Sequence, residues 1–146
     1  MQSFFLSPRG KKFDQVYASH ILSNKYTILI CGRFEGVDQR VLDYYNIEEL
    51  SIGDYVMSGG ELASMVVIDA CVRLVPGVLG NSDSLKCESF SAGMLECSHY
   101  TKPVVWRDIS VPDVLLSGNH EKIDQWRLSS SESLTRKVRP DLIKDK

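Results

Sequence analysis

Short apolar runs alternate with segments of helical periodicity through the first half of the chain. Strands are predicted at three apolar or β-branched runs: Phe4–Leu6, Tyr26–Cys31 and Ile47–Ile52. Apolar residues recur at helical spacing in three further segments: Lys12–Leu22, Val37–Tyr45 and Glu61–Val75. This alternation of strands and helices predicts an α/β fold with a parallel sheet.

The same pattern makes finer predictions about individual elements. The unbroken apolar run Tyr26–Cys31 predicts a central strand that is buried on both faces. The turn residues of Ser7–Gly10 are expected to stop the first strand. In the second helix, the spacing predicts four inward-facing side chains: Val37, Val41, Leu42 and Tyr45.

The pattern changes after Gly80, where a polar stretch begins. We interpret residues 81–95 as a flexible interdomain linker or mobile functional loop. The linker would separate an α/β domain at residues 1–80 from a small, mainly helical domain at residues 96–146.

The last part of the chain contains a predicted helix that begins at about His120. Asn119 or Ser117 could cap its first turn, because side-chain oxygens at this position accept from free backbone N–H groups. The serines of Ser129–Ser133 are expected to weaken any long continuation of the helix. A final short helical piece is predicted near Pro140.

Composition changes this picture little. The 146 residues are 43% apolar and 25% charged, which is typical of one modest soluble domain or a small domain with an appendage. No apolar run approaches the roughly 20 residues that span a bilayer, and the start lacks the basic lead of a signal peptide. The four cysteines show no zinc-binding spacing, so we expect a cytoplasmic protein with reduced thiols and no membrane.

Charge is distributed unevenly along the chain. Residues 1–33 carry five basic and one acidic side chains, and residues 122–146 carry seven and four. Residues 34–70 carry one basic and eight acidic side chains. A polyanion could bind the basic ends, although uneven surface charge alone would give the same pattern.

The segment Ser51–Leu62 is the richest in candidate chemistry. It places three glycines around the apolar pair Val56 and Met57, so that main-chain groups can approach a ligand while the pair covers a flat ring. This loop and two others, Ser7–Gly10 and Gly32–Gly36, follow the three predicted strands. Because ligands bind beyond the carboxyl ends of parallel strands, the three loops predict one site for an adenine-containing molecule. The chain has neither a dinucleotide fingerprint nor a phosphate-binding P-loop.

Seven ordered motifs resemble the bacterial tRNA (guanine-N(1)-)-methyltransferase family over nearly the whole chain. The motifs are Phe5–Pro8, Cys31–Asp38, Ser51–Leu62, Pro76–Gly80, Glu88–Phe90, His99–Pro103 and Leu116–His120. The resemblance implies the SPOUT class, with a deep trefoil knot that binds S-adenosyl-L-methionine and releases S-adenosyl-L-homocysteine. It also implies methylation of N1 of guanosine at tRNA position 37, next to the anticodon.

The resemblance carries cofactor contacts onto the three loops. The matching positions are Leu6, Ser7, Pro8, Gly32, Glu35, Ser51, Ile52, Gly53, Asp54, Tyr55, Val56, Met57, Gly59 and Gly60. Main-chain groups of the third loop would bind the adenine edge, and Glu35 could attract the cationic end of the cofactor. From the residues alone, Glu35 could equally be a solvated loop acid.

Two residues match catalytic positions of the family. Glu88 would be the general base that takes the proton from guanine N1, and Arg73 would polarise the guanine. From the sequence alone, Arg73 could instead be an arginine at a helix end, and Glu88 a surface charge. The family works as a homodimer with its active site at the subunit interface, so the two residues could act from different chains.

Contacts with tRNA are carried over to Lys102, His120 and Arg127, for each of which ordinary packing or capping is an alternative. Trp126 could stack a base or, as favoured here, anchor a helical core. Magnesium dependence is associated with the family, but this chain contains no metal-binding motif.

The chain departs from the family pattern in four ways. Glu88 stands where Asp is usual, Phe34 where Tyr is usual, and Lys102 where Arg is usual. Family members also carry a substantial segment before the first cofactor loop, so an N-terminally truncated chain is expected. Three rivals therefore remain: a cofactor- or tRNA-binding fragment without catalysis, another SPOUT RNA methyltransferase, and a different nucleotide-binding α/β enzyme.

Overall fold

The computed structural model describes residues 1–80 and 88–143. Its chain divides into two compact units, Met1–Ser82 and Asp83–Lys146.

The first unit is built on a three-stranded parallel sheet. Its strands are β1 (Gln2–Lys12), β2 (Thr27–Cys31) and β3 (Glu48–Ser51), in the order β2-β1-β3. Both neighbours run parallel to β1, and Leu6 is paired with Cys31 on one side and with Leu50 on the other. The predicted α/β class with a parallel sheet is confirmed.

Three helices connect and cover these strands: α1 (Gln15–Leu22), α2 (Gln39–Tyr44) and α3 (Glu61–Val72). Helices α1 and α3 pack together and, with the strands, enclose one apolar core. Its buried members are Phe4, Leu6, Tyr17, Ala18, Ile21, Leu50, Ala63, Val67 and Cys71. Burying each large apolar side chain contributes about 1.5–3 kcal/mol, so this core holds the strand ends in a fixed relation.

Several element predictions were wrong in detail. The strand β2 lies at the edge of the sheet and not at its centre, and Ile28 remains 42% exposed. An apolar run indicates that a strand can pack in a core, but it does not indicate whether the strand has one or two neighbouring strands in the sheet. In the α2 region only Leu42 is buried, whereas Val41 and Tyr45 are exposed. Val37 is exposed too.

The first helix begins at Gln15, three residues later than predicted, because Lys12 belongs to β1 and Asp14 is the N-cap of α1. The Asp14 carboxylate accepts a hydrogen bond from the Tyr17 backbone N–H (2.8 Å) and so caps α1. The Phe13 N–H donates to the Ser51 carbonyl (2.7 Å), which keeps the preceding chain extended along β3.

Strand β1 also continues through Ser7–Gly10 and does not stop there. Its pairing with β3 shifts between Leu6 and Lys11, and both of these residues are paired with Leu50. The chain thus bulges away from β3 and returns to it. Gly10 makes the return possible, since a Cβ there would lie 2.3 Å from the Leu50 nitrogen and from the Glu49 carbonyl carbon.

The second unit contains a short hairpin and helices. Its elements are β4 (Val105–Trp106), β5 (Ile109–Ser110), α4 (Asp113–Leu116), α5 (His120–Val138) and a 3₁₀ turn at Pro140–Leu142. The helix α5 begins where the sequence predicts, and the Asn119 side chain accepts from the Lys122 N–H (3.2 Å) to cap it.

The prediction that Ser129–Ser133 would weaken this helix was wrong. Helix α5 runs unbroken for 19 residues because its hydroxyl side chains bind an adjoining segment of the chain. The Ser131 hydroxyl donates to the Leu95 carbonyl, and the Leu95 N–H donates to the buried Thr135 hydroxyl (3.0 Å). These serines and threonines therefore fix tertiary contacts instead of competing with the helix backbone.

No helix within residues 1–80 and 88–143 is long and apolar enough to cross a membrane.

Candidate functional site

A cavity of about 430 Å³ lies where the three parallel strands of the first unit end. The loops after β1, β2 and β3 surround it, as expected for a ligand site at the carboxyl edge of a parallel sheet. All the predicted cofactor residues except Asp54 line this cavity: Leu6, Ser7, Pro8, Gly32, Glu35, Ser51, Ile52, Gly53, Tyr55, Val56, Met57, Gly59 and Gly60.

Asp54 lies in the third loop but its side chain is exposed outside the lining. The cavity also has walls that the sequence did not predict as cofactor contacts: Phe5, Arg9, Arg33, Phe34, Gly36, Val37, Gln39, Leu50, Ser58 and Ala63. Most of these residues neighbour the predicted ones in the same loops, so the loop boundaries could have identified them. Gln39 and Ala63 stand on helices, and only the packing of those helices places them here.

The third loop presents main-chain donors to the cavity. In the described part of the chain, the N–H groups of Val56, Met57 and Gly59 donate no hydrogen bond to protein. Backbone donors in protein interiors are nearly always paired, so free ones beside a cavity are suited to a polar ligand. The apolar side chains of Val56 and Met57 flank the same groups and could cover a flat ring.

Gly60 locks the second and third loops together. Its N–H donates to the Gly32 carbonyl (3.1 Å), which joins the two loops at the cavity wall. A Cβ at Gly60 would lie 3.0 Å from the Cys31 Cα and 3.2 Å from the Leu6 Cβ, so any larger residue would crowd this approach. The ends of β1 and β2 and the start of α3 therefore meet closely at the cavity wall.

The cavity lining contains three charged side chains: Arg9, Arg33 and Glu35. Arg9 forms a salt bridge with Glu49 (2.9 Å), and Arg33 forms one with Glu61 (2.8 Å). Neither acidic partner is itself part of the lining. The pKa of the Glu61 carboxyl is lowered, first by its own backbone N–H at the start of α3 and also by the Arg33 guanidinium.

The two predicted catalytic residues belong to different units. Arg73 is half-buried and directly follows α3, and its N–H donates to the Asp69 carbonyl (3.3 Å). Glu88 is half-buried in the second unit, where its carbonyl accepts from the Ser91 hydroxyl (2.7 Å) and from the Ser91 N–H (3.2 Å). A hydrogen-bonded turn thus carries Glu88.

The predicted tRNA contacts lie around a second cavity, of about 590 Å³, in the second unit. Lys102 and Arg127 line it, whereas His120 stands at the start of α5 outside the lining. Arg127 pairs with Asp124 (3.2 Å) on the exposed face of the helix. The rings of Trp126 and Tyr100 meet edge to face with centroids 6.0 Å apart.

Residues 1–80 and 88–143 contain no group of three or more His, Cys, Asp or Glu side chains that could hold a metal ion.

The chain is similar to tRNA (guanine-N(1)-)-methyltransferases both in the family model that it matches and in its curated relatives. The family model for tRNA (guanine-1)-methyltransferase TrmD matches residues 1–145. The tRNA (guanine-N(1)-)-methyltransferase of Neorickettsia sennetsu is 59% identical over 141 residues, which cover 97% of this chain and 63% of the relative. The protein of the same name from Pelagibacter ubique is 59% identical over 139 residues, covering 95% and 61%.

More distant relatives match over a similar extent. The tRNA (guanine-N(1)-)-methyltransferase of Rickettsia africae is 48% identical over 149 aligned positions, covering 99% of this chain and 64% of the relative. The chain therefore spans less than two thirds of the length of these curated relatives.

Proposed function

The chain belongs to the tRNA (guanine-1)-methyltransferase TrmD family, and we propose on that premise that it methylates tRNA at N1 of guanosine 37. The observation that carries the proposal is the cavity formed by three loops at the carboxyl edge of the sheet. Its walls include every position that matches the cofactor loops of the family except Asp54.

The cavity fits S-adenosyl-L-methionine in size and in chemistry. Its volume of about 430 Å³ lies within the range of about 300–1,000 Å³ usual for small-molecule sites. The free N–H groups of Val56 and Met57 suit the polar edge of adenine, and Glu35 suits a cation. When bound, S-adenosyl-L-methionine supplies the methyl group from its sulfonium centre.

Residues of this chain would prepare the guanine for methylation. Glu88 accepts the N1 proton, which turns N1 into a nucleophile, and the charge of Arg73 stabilises the electron density that develops on the ring. The turn that carries Glu88 is anchored to α5 through Leu95, which supports a fixed position for the base. The proton of N1 passes to the Glu88 carboxylate, and the methyl group takes its place.

We propose that the three loops belong to a trefoil knot of the SPOUT class. The close contacts of Gly60 with Gly32 and Leu6 support this, because a knot requires these segments to pass tightly against one another. We likewise propose residues 81–95 as the segment between the cofactor-binding domain and a tRNA-contacting domain at 96–146. Lys102, His120 and Arg127 are proposed to contact tRNA phosphates there, so the protein would work in the cytoplasm.

A homodimer is proposed from the surface of α3. This helix is apolar on nearly all sides, and a helix of that kind normally has every face covered. Ala63, Val67 and Cys71 face the core, but several large apolar side chains of α3 are exposed: Leu62, Met65, Val66, Ile68 and Val72. A second copy of the chain packed on this face would cover them and would bring another subunit beside Arg73.

We expect Met65→Glu to convert the dimer into a monomer at micromolar concentrations. A carboxylate in the centre of an apolar interface is costly to bury, whereas the same carboxylate is harmless on a free surface. Sedimentation velocity over a concentration series measures the change, with Met65→Leu as the control that keeps an apolar side chain of similar volume. A wild-type chain that is monomeric at all concentrations would contradict the proposal.

The proposed activity is tested with unmodified tRNA and S-adenosyl-L-methionine labelled on its methyl group. We expect label in 1-methylguanosine at position 37 and none in a transcript that carries adenosine there. Running the assay with magnesium chloride or with EDTA tests the further proposal that magnesium supports the reaction. Cofactor binding without methyl transfer would favour a binding fragment, and label at another nucleotide would favour a different SPOUT methyltransferase.

A further inference from the structure

Of the three charged side chains that line the cofactor cavity, the two arginines are paired with carboxylates and, within residues 1–80 and 88–143, the glutamate is not paired. Both arginines of the lining are paired with glutamates outside it, Arg9 with Glu49 and Arg33 with Glu61. In the described residues, Glu35 has no salt-bridge or hydrogen-bond partner. The paired arginines are thus close to neutral as seen by a ligand, while the Glu35 charge remains.

We infer that Glu61 and Glu49 are specificity-determining residues that make the cavity favour a cationic ligand over a neutral one of the same shape. The inference rests on the proposed function, in which the two ligands are the sulfonium S-adenosyl-L-methionine and the thioether S-adenosyl-L-homocysteine. These molecules differ by one methyl group and one positive charge. Electrostatics is therefore the main means by which a site can distinguish them.

The Arg33–Glu61 pair is the better placed of the two for this role. The Glu61 Oε1 accepts a hydrogen bond from the Arg33 Nε (3.0 Å) and lies 2.8 Å from the Arg33 Nη2 in the salt bridge, so one carboxylate oxygen contacts both nitrogens. Glu61 is the first residue of α3, where the free N–H groups of the helix start also favour its charged form. The Glu61 carboxylate therefore stays ionised beside Arg33 at neutral pH.

The exposure of the pair indicates that it contributes little to folding. The Arg33 side chain is 64% exposed and that of Glu61 is 50% exposed, and salt bridges this open add little to stability. A role in ligand binding explains the pair better, because Arg33 lines the cavity and Glu61 pairs with it from just outside the lining. A neutral amide at Glu61 would leave the Arg33 charge facing the ligand while the fold stays intact.

The test is the ratio of the dissociation constants for S-adenosyl-L-methionine and S-adenosyl-L-homocysteine, measured by calorimetry. In Glu61→Gln we expect this ratio to rise roughly threefold or more at low salt, since an unpaired guanidinium repels the sulfonium but not the thioether. Added salt should shrink the change. Glu49→Gln should act in the same direction through Arg9.

Two further variants separate electrostatics from structure. The double variant Arg33→Gln with Glu61→Gln removes both charges, so we expect its ratio to return to the wild-type value. Glu132→Gln, on the exposed surface of α5 in the other unit, changes the net charge equally and should leave the ratio unaltered. Equal weakening of both ligands in Glu61→Gln would overturn the inference, because that is the effect of a merely structural pair.

The result also separates this inference from the proposed function. If the wild-type chain binds neither ligand, the proposed function fails and the inference fails with it. If the chain binds both ligands and Glu61→Gln keeps the wild-type ratio, the inference alone is overturned.

Discussion

Glu88→Gln is expected to lower methyl transfer to tRNA by at least about 100-fold while leaving S-adenosyl-L-methionine affinity unchanged. General-base catalysis contributes about 10²–10⁴-fold, and an amide of the same shape cannot accept the N1 proton. The cavity that we propose for the cofactor belongs to the other compact unit, which is why the cofactor affinity should be unaffected. Single-turnover methylation with saturating tRNA measures the first effect, and calorimetry the second.

Two control variants distinguish the loss of a general base from the loss of any exposed carboxylate. Glu88→Asp keeps the carboxylate and matches the residue usual in the family, so we expect it to retain turnover within about tenfold of the wild type. Glu132→Gln removes an exposed carboxylate of the same unit and should not change turnover. Full activity of Glu88→Gln would remove Glu88 as the base.

Gly10→Ala is expected to destabilise the first unit by about 3 kcal/mol or more. A Cβ at Gly10 would lie 2.3 Å from the Leu50 nitrogen and 2.5 Å from the Glu49 carbonyl oxygen, so backbone must move against backbone. Overpacking that a side chain can relieve usually costs about 1–3 kcal/mol, and here no flexible side chain can yield. The pairing of Lys11 and Lys12 with β3 should weaken, and the cavity wall at Ser7 and Pro8 should become less ordered as a result.

Urea unfolding monitored by circular dichroism measures the loss in the free energy of unfolding. Titration with S-adenosyl-L-methionine measures the weaker binding expected from a loosened cavity. Gly80→Ala is the matched control, because a Cβ at Gly80 meets no atom of residues 1–80 or 88–143 within 4 Å. A surface change of that kind usually stays within about 0.5 kcal/mol. Equal stability of the two variants would contradict the account of the bulge.

The sequence allowed the cavity walls to be predicted because ligand loops carry a local pattern. The glycines, the Val56–Met57 pair and the position of each loop after an apolar run are all short-range features, and they brought the three loops together correctly. Asp54 lies outside the lining, since a loop sequence does not reveal which side chains face the cavity. Gln39 and Ala63 could not be found locally, because helix packing places them.

The order of the strands could not be derived from their composition. The run Tyr26–Cys31 is as apolar as a central strand, yet β2 lies at the edge and β1 at the centre. Likewise, Ser129–Ser133 has a low intrinsic helix propensity, but tertiary hydrogen bonds that join Ser131 and Thr135 to Leu95 stabilise α5. In both cases the deciding partners are distant in sequence.

The sequence by itself determined the α/β class, the three loops that surround the cavity and the family, since each rests on residue patterns within a short stretch. The tertiary structure alone decided the bulge at Gly10, the rim pair Arg33–Glu61 and the central position of β1. These features depend on which backbone segments approach one another, and a distance between segments is a property of the packed chain.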